Sequence, residues 1–293
     1  MKFAFISLVG RPSSGKSTFL NYTCKHKVSI VSPVPQTTRN KIRGIYTADD
    51  KSGQLVFIDT PGFHISEKKF NTYMKNLIRS SIEESDMVCY MIDVSRDVGE
   101  EERSIMQILR SVTKPVVIAL NKVDVEENFQ SVILTELKHT LPEVPFHTIS
   151  ALTGSGIQEL LRTLLQYAPE GEIMYPGEYY TDQLPEFRIA EIIREKAILE
   201  TKQELPHSIY VDIQDMEMRK EKNMLWVRGF IYVERDSQKG ILIGKKGEKI
   251  KKIIKESQEE LKNIFPYHIH LDIRVKVSPK WRKKDRIIKR LMR

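Results

Sequence analysis

The sequence predicts an α/β fold: a doubly wound phosphate-loop domain followed by a smaller α+β domain. Three observations carry this. A short apolar run, Phe3 to Val9, leads into a glycine-bounded loop and then a helix. Apolar runs and amphipathic helical stretches then alternate to about residue 168, the pattern of a parallel sheet covered on both faces. After a stretch holding Pro169, Gly171, Pro176, Gly177 and Pro185 the order of elements changes, and so does the charge. The expected division is 1–168, a linker at 169–185, a second domain at 186–278 and a basic tail at 279–293.

The loop is Gly10-Arg11-Pro12-Ser13-Ser14-Gly15-Lys16-Ser17, a full match to G-x-x-x-x-G-K-[ST]. Glycines let the backbone wrap closely, so its N–H groups can face phosphate oxygens. The helix that opens at Ser17-Thr18 adds a favourable dipole for an anion. Lys16 is placed for the β- and γ-phosphates and Ser17 for Mg²⁺.

Strands are expected at 42–47 and 55–58, joined by a turn at Asp49 to Gly53. Met87 to Ile92 and Pro115 to Leu120 are continuous apolar runs of the fully buried kind. Helices are expected at about 70–84, 100–109 and 129–141. Another is expected at 157–165, with apolar residues at 157, 160, 161, 164 and 165. A short strand falls at 146–149. The second domain reads as a helix (187–201), strands (208–213 and 225–233), a short helix, a turn, a helix (248–264) and a strand (268–277).

The chain carries 47 basic and 39 acidic residues, a net of +8 over 293 residues. Residues 1–180 have a net charge of −1 and residues 181–293 of +9. A neutral half and a basic half suggest two tasks, the second with a polyanion. Cys24 and Cys89 are far apart and in apolar surroundings. They give neither a disulfide framework nor a metal spacing, and read as buried thiols of a reducing compartment. No stretch approaches the ~18 apolar residues of a membrane span. The first nine residues are too short for a signal peptide and run straight into the phosphate loop. The expected location is cytoplasmic.

Asn121-Lys122-Val123-Asp124 follows a buried strand. An Asp there can accept from N1–H and the exocyclic amine of guanine, and adenine has no such donor pair. That choice of base argues against a phosphate-loop ATPase. Asn121 and Lys122 would brace the loop and pack on the ring, and Ser150-Ala151-Leu152 would offer a backbone N–H to the guanine carbonyl. Asp59-Thr60-Pro61-Gly62 ends another strand. Asp59 would hold Mg²⁺ through water and the Gly62 N–H would bind the γ-phosphate. Thr38, or else Thr37, would close over the nucleotide and ligate Mg²⁺, and loss of the γ-phosphate would release both loops. Phe63 stands where many small GTPases place a glutamine. It cannot orient water, so slow intrinsic hydrolysis is expected. His64 is a candidate base; its other reading is a solvent-facing loop residue.

In the basic half, Gly244-Lys245-Lys246-Gly247 is a G-x-x-G turn between two helices, the device with which KH domains clamp a nucleic-acid backbone. Lys245, Lys246 and Lys249 would meet phosphates, and Ile241, Ile243 and Ile250 would floor a groove for about four bases. Residues 239–293 have 18 basic and 6 acidic side chains. The tail around Trp281 can extend RNA contact by stacking and charge, stand as a solvated helix, or dock on anionic lipid at the inner face of the cell membrane.

Five guanine-nucleotide segments in this order resemble the translation-factor-like GTPases. The hydrophobic residue after Asp-Thr-Pro-Gly and the Gln36-Thr37-Thr38-Arg39 loop resemble the Era branch. The resemblance spans nearly the whole chain and implies a GTPase domain joined to a type II KH domain. It also implies a GTP-governed protein of the small ribosomal subunit that grips single-stranded RNA near the 3′ end of 16S rRNA, and a monomer. The competing reading is an RNA chaperone or assembly marker in which turnover is incidental. GTPases with two GTPase domains are set aside because there is no second phosphate loop. The family's loop usually reads Gly-x-Pro-Asn-Val-Gly-Lys-Ser, and Ser13-Ser14 depart from it. In related GTPases that Asn helps to hold potassium. Ser13 reaches less far, so potassium activation is not expected to carry over unchanged.

Overall fold

The computed structural model describes residues 1–32, 40–60, 79–201, 205 and 208–281. They divide into two units, 1–29 with 38–182 and 30–37 with 183–293.

The apolar runs of the first unit form one six-stranded sheet of order β2-β3-β1-β4-β5-β6. In chain order its elements are β1 (Lys2–Val9), α1 (Lys16–Thr23), β2 (Ile42–Thr47), β3 (Gly53–Asp59), the helical residues 79–84 (α2) and β4 (Met87–Asp93). Then come α3 (Glu100–Arg110), β5 (Val116–Asn121), α4 (Gln130–Thr140), β6 (Phe146–Ile149) and α5 (Ile157–Tyr167). Edge strand β2 runs antiparallel to β3 and the other pairs are parallel. All residues of β3 and β4 are buried, because helices cover both faces of such a sheet. Ile105, Met106 and Leu109 of α3, and Ile157, Leu160, Leu161 and Leu164 of α5, form the apolar faces that pack inward. Burial pushes the thiols of Cys24 and Cys89 up to about 12.

The stretch after α5, where a linker is expected, is held to this unit. Pro169 O accepts from Phe3 N (3.1 Å), and Gly171 N donates to Met1 O (2.8 Å). Gln54 exchanges two bonds with the backbone of Tyr175 (2.9 and 3.1 Å). Along β2, Ile45 N donates to Tyr180 O (3.0 Å) and Thr181 Oγ1 to Arg43 O (2.8 Å). Arg43 pairs with Asp182 at 3.0 Å.

The second unit contains α6 (Pro185–Thr201), β7 (Tyr210–Arg219), β8 (Met224–Val233), α7 (Asp236–Ile243), α8 (Glu248–Leu261) and β9 (His268–Val277). Its sheet has the order β7-β8-β9, antiparallel then parallel. Strand β8 alternates: Leu225, Val227, Ile231 and Val233 face the core, while Trp226, Arg228, Phe230 and Tyr232 take the other face. Ile189, Ile192 and Ile193 of α6, Leu242 of α7 and Ile253 of α8 close that core. Ile30 belongs to the same cluster, and Val31 N donates to Glu195 Oε1 at 2.7 Å.

Trp281 overturns one expectation. Its ring is 5 % exposed, packs on Tyr210 at 4.7 Å, and donates Nε1–H to Ser208 O (2.8 Å). A ring buried in this way is not a stacking platform for bases. Residues 282–293 lie outside the described residues.

Candidate nucleotide site and nucleic-acid interface

The site forms where strands end. Loop 10–17 leaves β1, Asp59 closes β3, Asp93 closes β4, Asn121 closes β5 and Ser150 follows β6. This is the carboxyl edge of the sheet, where such folds bind ligands.

Gly15 is the pivot of the loop. Its φ is +95°, and a Cβ there would sit 2.1 Å from Asn121 Nδ2, so no other residue fits. Ser13 also has a positive φ, 63°. Lys16 lies under the loop and donates to Gly10 O (3.0 Å) and Arg11 O (2.9 Å). Burial lowers its ammonium to about 8, against the pull of Asp59 and Glu102. A phosphate anion in the loop would favour the charged form and raise it again. Arg11 turns its guanidinium to Asp97 O (3.1 Å), Glu101 (3.3 Å) and Glu102 (3.4 Å).

Ser17 Oγ donates to Asp59 Oδ2 at 2.8 Å, so two of the residues read as metal-binding are adjacent. Ser29 Oγ, which the sequence does not single out, reaches the same oxygen at 3.1 Å. Asn21 fixes Ser29 in turn: its Oδ1 accepts from Val28 N and Ser29 N, both at 2.8 Å, and its Nδ2 donates to Ser29 O at 2.7 Å. A hydroxyl and a carboxylate at one buried point form an oxygen donor set suited to Mg²⁺. Thr60 Oγ1 donates to Leu8 O (2.9 Å), which ties β3 to β1 beside the loop. Thr37, Thr38, Pro61, Gly62, Phe63 and His64 lie outside the described residues.

Asn121 joins three segments. Its Nδ2 donates to Ser14 O and its Oδ1 accepts from Ala151 N, both at 2.8 Å. Lys122, with φ 72°, sends Nζ to Asp93 Oδ2 at 2.6 Å. Burial opposes the charge on Asp93, but bonds from Lys122 and Ser95 outweigh it and hold the carboxyl below its usual range. Arg96 bonds both Asp93 Oδ2 (3.0 Å) and Pro12 O (2.9 Å). Asp124 and Leu152 are exposed, and Ser150 is buried beneath them. Asp93, Arg96 and Glu102 carry no local motif, and only their tertiary placement reveals them.

In the second unit the G-x-x-G turn has the backbone it needs. Gly244 has φ +74° and Gly247 φ +77°, and Lys246 between them has φ 52°. A Cβ on Gly244 would lie 2.7 Å from that of Lys249. Lys245 and Lys246 are exposed. Ile241, Ile243 and Ile250 are half-buried and rest on the core.

Residues 5–122 match the family of 50S ribosome-binding GTPases and residues 204–282 match the KH domain. The chain is 49 % identical to GTPase Era of Treponema denticola over 294 residues, covering 99 % of each. It is 45 % identical to GTPase Era of Borreliella burgdorferi over the full length of both. The chain belongs to the Era family of GTPases. A solved Aquifex aeolicus Era bound to GDP and AlF4⁻ superposes on the whole chain with a TM-score of 0.92 at 36 % identity, covering 99 % of that chain. An Era in complex with MgGDPNP and nucleotides 1506–1542 of 16S ribosomal RNA gives the same TM-score and identity, covering 98 % of that chain. The Era architecture, a phosphate-loop GTPase domain followed by a KH domain, is the architecture of this chain.

Proposed function

We propose that this Era-family GTPase uses GTP binding and hydrolysis to control its grip on single-stranded 16S rRNA near the 3′ end during small-subunit assembly. The observation that carries this reading is the alignment, over the full chain, with an Era that holds MgGDPNP and 16S nucleotides together. The structure supports it with a loop for phosphates, a carboxylate at 124 for guanine, and a lysine-bearing turn on a separate unit.

On nucleotide binding, Lys16 leaves its carbonyl partners for the β- and γ-phosphates. Ser17, Asp59 and Thr38 would hold Mg²⁺, which supplies charge neutralisation on the phosphate oxygens when bound. Asp124 accepts from the guanine edge while Asn121 keeps loops 10–17 and 150–152 in register. Ala151 N–H is engaged by Asn121, so the guanine carbonyl takes its bond from Leu152 N–H or by exchange at Ala151. In the second unit Lys245, Lys246 and Lys249 meet the RNA backbone, and Ile241, Ile243 and Ile250 floor the groove.

RNA affinity with a GTP analogue against GDP tests the switch: a difference is expected, and equal affinities would leave only an assembly marker. Crosslinking to cellular RNA followed by sequencing tests the target. The reading includes a monomer, which sedimentation checks. It also includes a cytoplasmic protein whose basic tail makes a weak peripheral contact with the inner membrane face. Co-pelleting with vesicles that contain or lack anionic lipid checks that contact. Among the described residues no helix is long and apolar enough to cross a membrane.

A further inference from the structure

We propose that Glu102 is a positioning residue of the phosphate loop, holding Arg11 and through it the first half of the loop. The two halves of the loop are secured differently. The second half is tied to a helix and a strand: Phe19 N donates to Gly15 O at 2.8 Å, and Asn121 Nδ2 to Ser14 O. The first half, Gly10 to Pro12, has no helix behind it. Among the described residues, its side-chain anchors outside the loop come from the turn after β4 and the first turn of α3. Arg96 takes Pro12 O, and Arg11 reaches Asp97 O, Glu101 and Glu102.

Glu102 is the deepest of these anchors. It is 1 % exposed and sits in the first turn of α3. One oxygen accepts from the hydroxyl of fully buried Tyr90 at 2.5 Å, and the other faces Arg11 Nη1 at 3.4 Å. A carboxylate so buried is costly unless paired, and removing one partner leaves the other uncompensated. Arg11 is therefore committed to α3 and the turn before it. Its carbonyl, however, is a partner of Lys16 Nζ at 2.9 Å. The guanidinium fixes where that carbonyl stands, and the carbonyl fixes where Lys16 starts from. Loss of the Glu102 charge would remove the buried partner of Arg11, leaving it Asp97 O and the more exposed Glu101, and loosen the cradle without touching a reacting atom.

This rests on residues 10–17 being the phosphate loop, and Lys16→Ala tests that premise separately: nucleotide binding that survives it removes the premise and the proposal together. With Lys16→Ala inactive, Glu102→Gln decides the proposal. The amide keeps the shape and can still accept from Tyr90. Losing a charged hydrogen bond predicts about a tenfold rise in KM for GTP and in the GDP dissociation rate. The same reading predicts kcat within about twofold, because the contact is made equally in ground and transition states. The Arg11→Gln and Glu102→Gln double variant should lose no more than either single variant. An unchanged KM and GDP dissociation rate overturns the proposal, as does a double variant whose losses multiply. A fall in kcat at constant KM also overturns it. If Glu102→Gln does not fold, Arg11→Gln is read beside Glu101→Gln: a rise with Arg11→Gln that Glu101→Gln lacks supports the proposal, and an equal rise in both, or none in Arg11→Gln, overturns it.

Discussion

At the scale of single residues the site divides into what a motif announces and what only folding assembles. Lys16, Ser17, Asp59, Asn121 and Asp124 were legible because fixed spacings after apolar runs point to them. Ser29 and Glu102 were not, since their partners Asp59 and Arg11 lie 30 and 91 residues away in sequence. Two predictions belong here. Asp124→Asn turns an acceptor into a group that can donate, so it should lower guanine nucleotide affinity by about a hundredfold or more and favour xanthine nucleotides; competition binding with the two bases reads this. Lys16 has a folded pKa lowered to about 8 from 10.5. The unfolded chain therefore holds more protons between those values, and stability of the nucleotide-free protein should rise with pH across that window. Melting curves from pH 7.5 to 10 should show a steeper rise for the native chain than for Lys16→Met, and parallel curves would refute it.

At the scale of elements, period and punctuation did most of the work. The apolar spacing of α5 marked which face turns inward, and the structure agrees at Leu160 and Leu164. Element ends were less legible: β7 runs on to Arg219, past a bulge between Ile213 and Asp215, and residues 214–219 are all exposed, so no buried face marks its end. Trp281 was misread because an aromatic among basic residues looks like a contact surface. Nothing near it in sequence reveals the Ser208 carbonyl 73 residues away that its indole N–H satisfies. The turn at 244–247 carries the element-scale prediction. Gly244→Asp adds a side chain at φ +74° against Lys249 and an anion where phosphate should lie. RNA affinity should fall by at least about tenfold while GTP hydrolysis without RNA stays unchanged; filter binding beside a phosphate-release assay separates the two.

At the scale of the whole molecule, the order of the two units and their unequal charge were plain in the sequence, since both are sums over many residues. On the proposed reading, this charge makes RNA binding sensitive to salt. If Lys245, Lys246 and Lys249 each neutralise one phosphate, the slope of log affinity against log salt should be about −2, and a slope near zero would remove these lysines from the contact. What the sequence hid at this scale was the course of the chain between the units, because proline and glycine signal a connection without saying what it lies against. Residues 175–182 bond to Gln54 and to the backbone of β2 at Arg43 and Ile45. They therefore act as a selvedge on an open sheet, occupying donors and acceptors that another polypeptide would otherwise recruit. A chain cut after residue 168 should keep its nucleotide site yet self-associate, whereas one cut after residue 182 should stay dispersed. Light scattering of the two fragments at equal concentration would decide it.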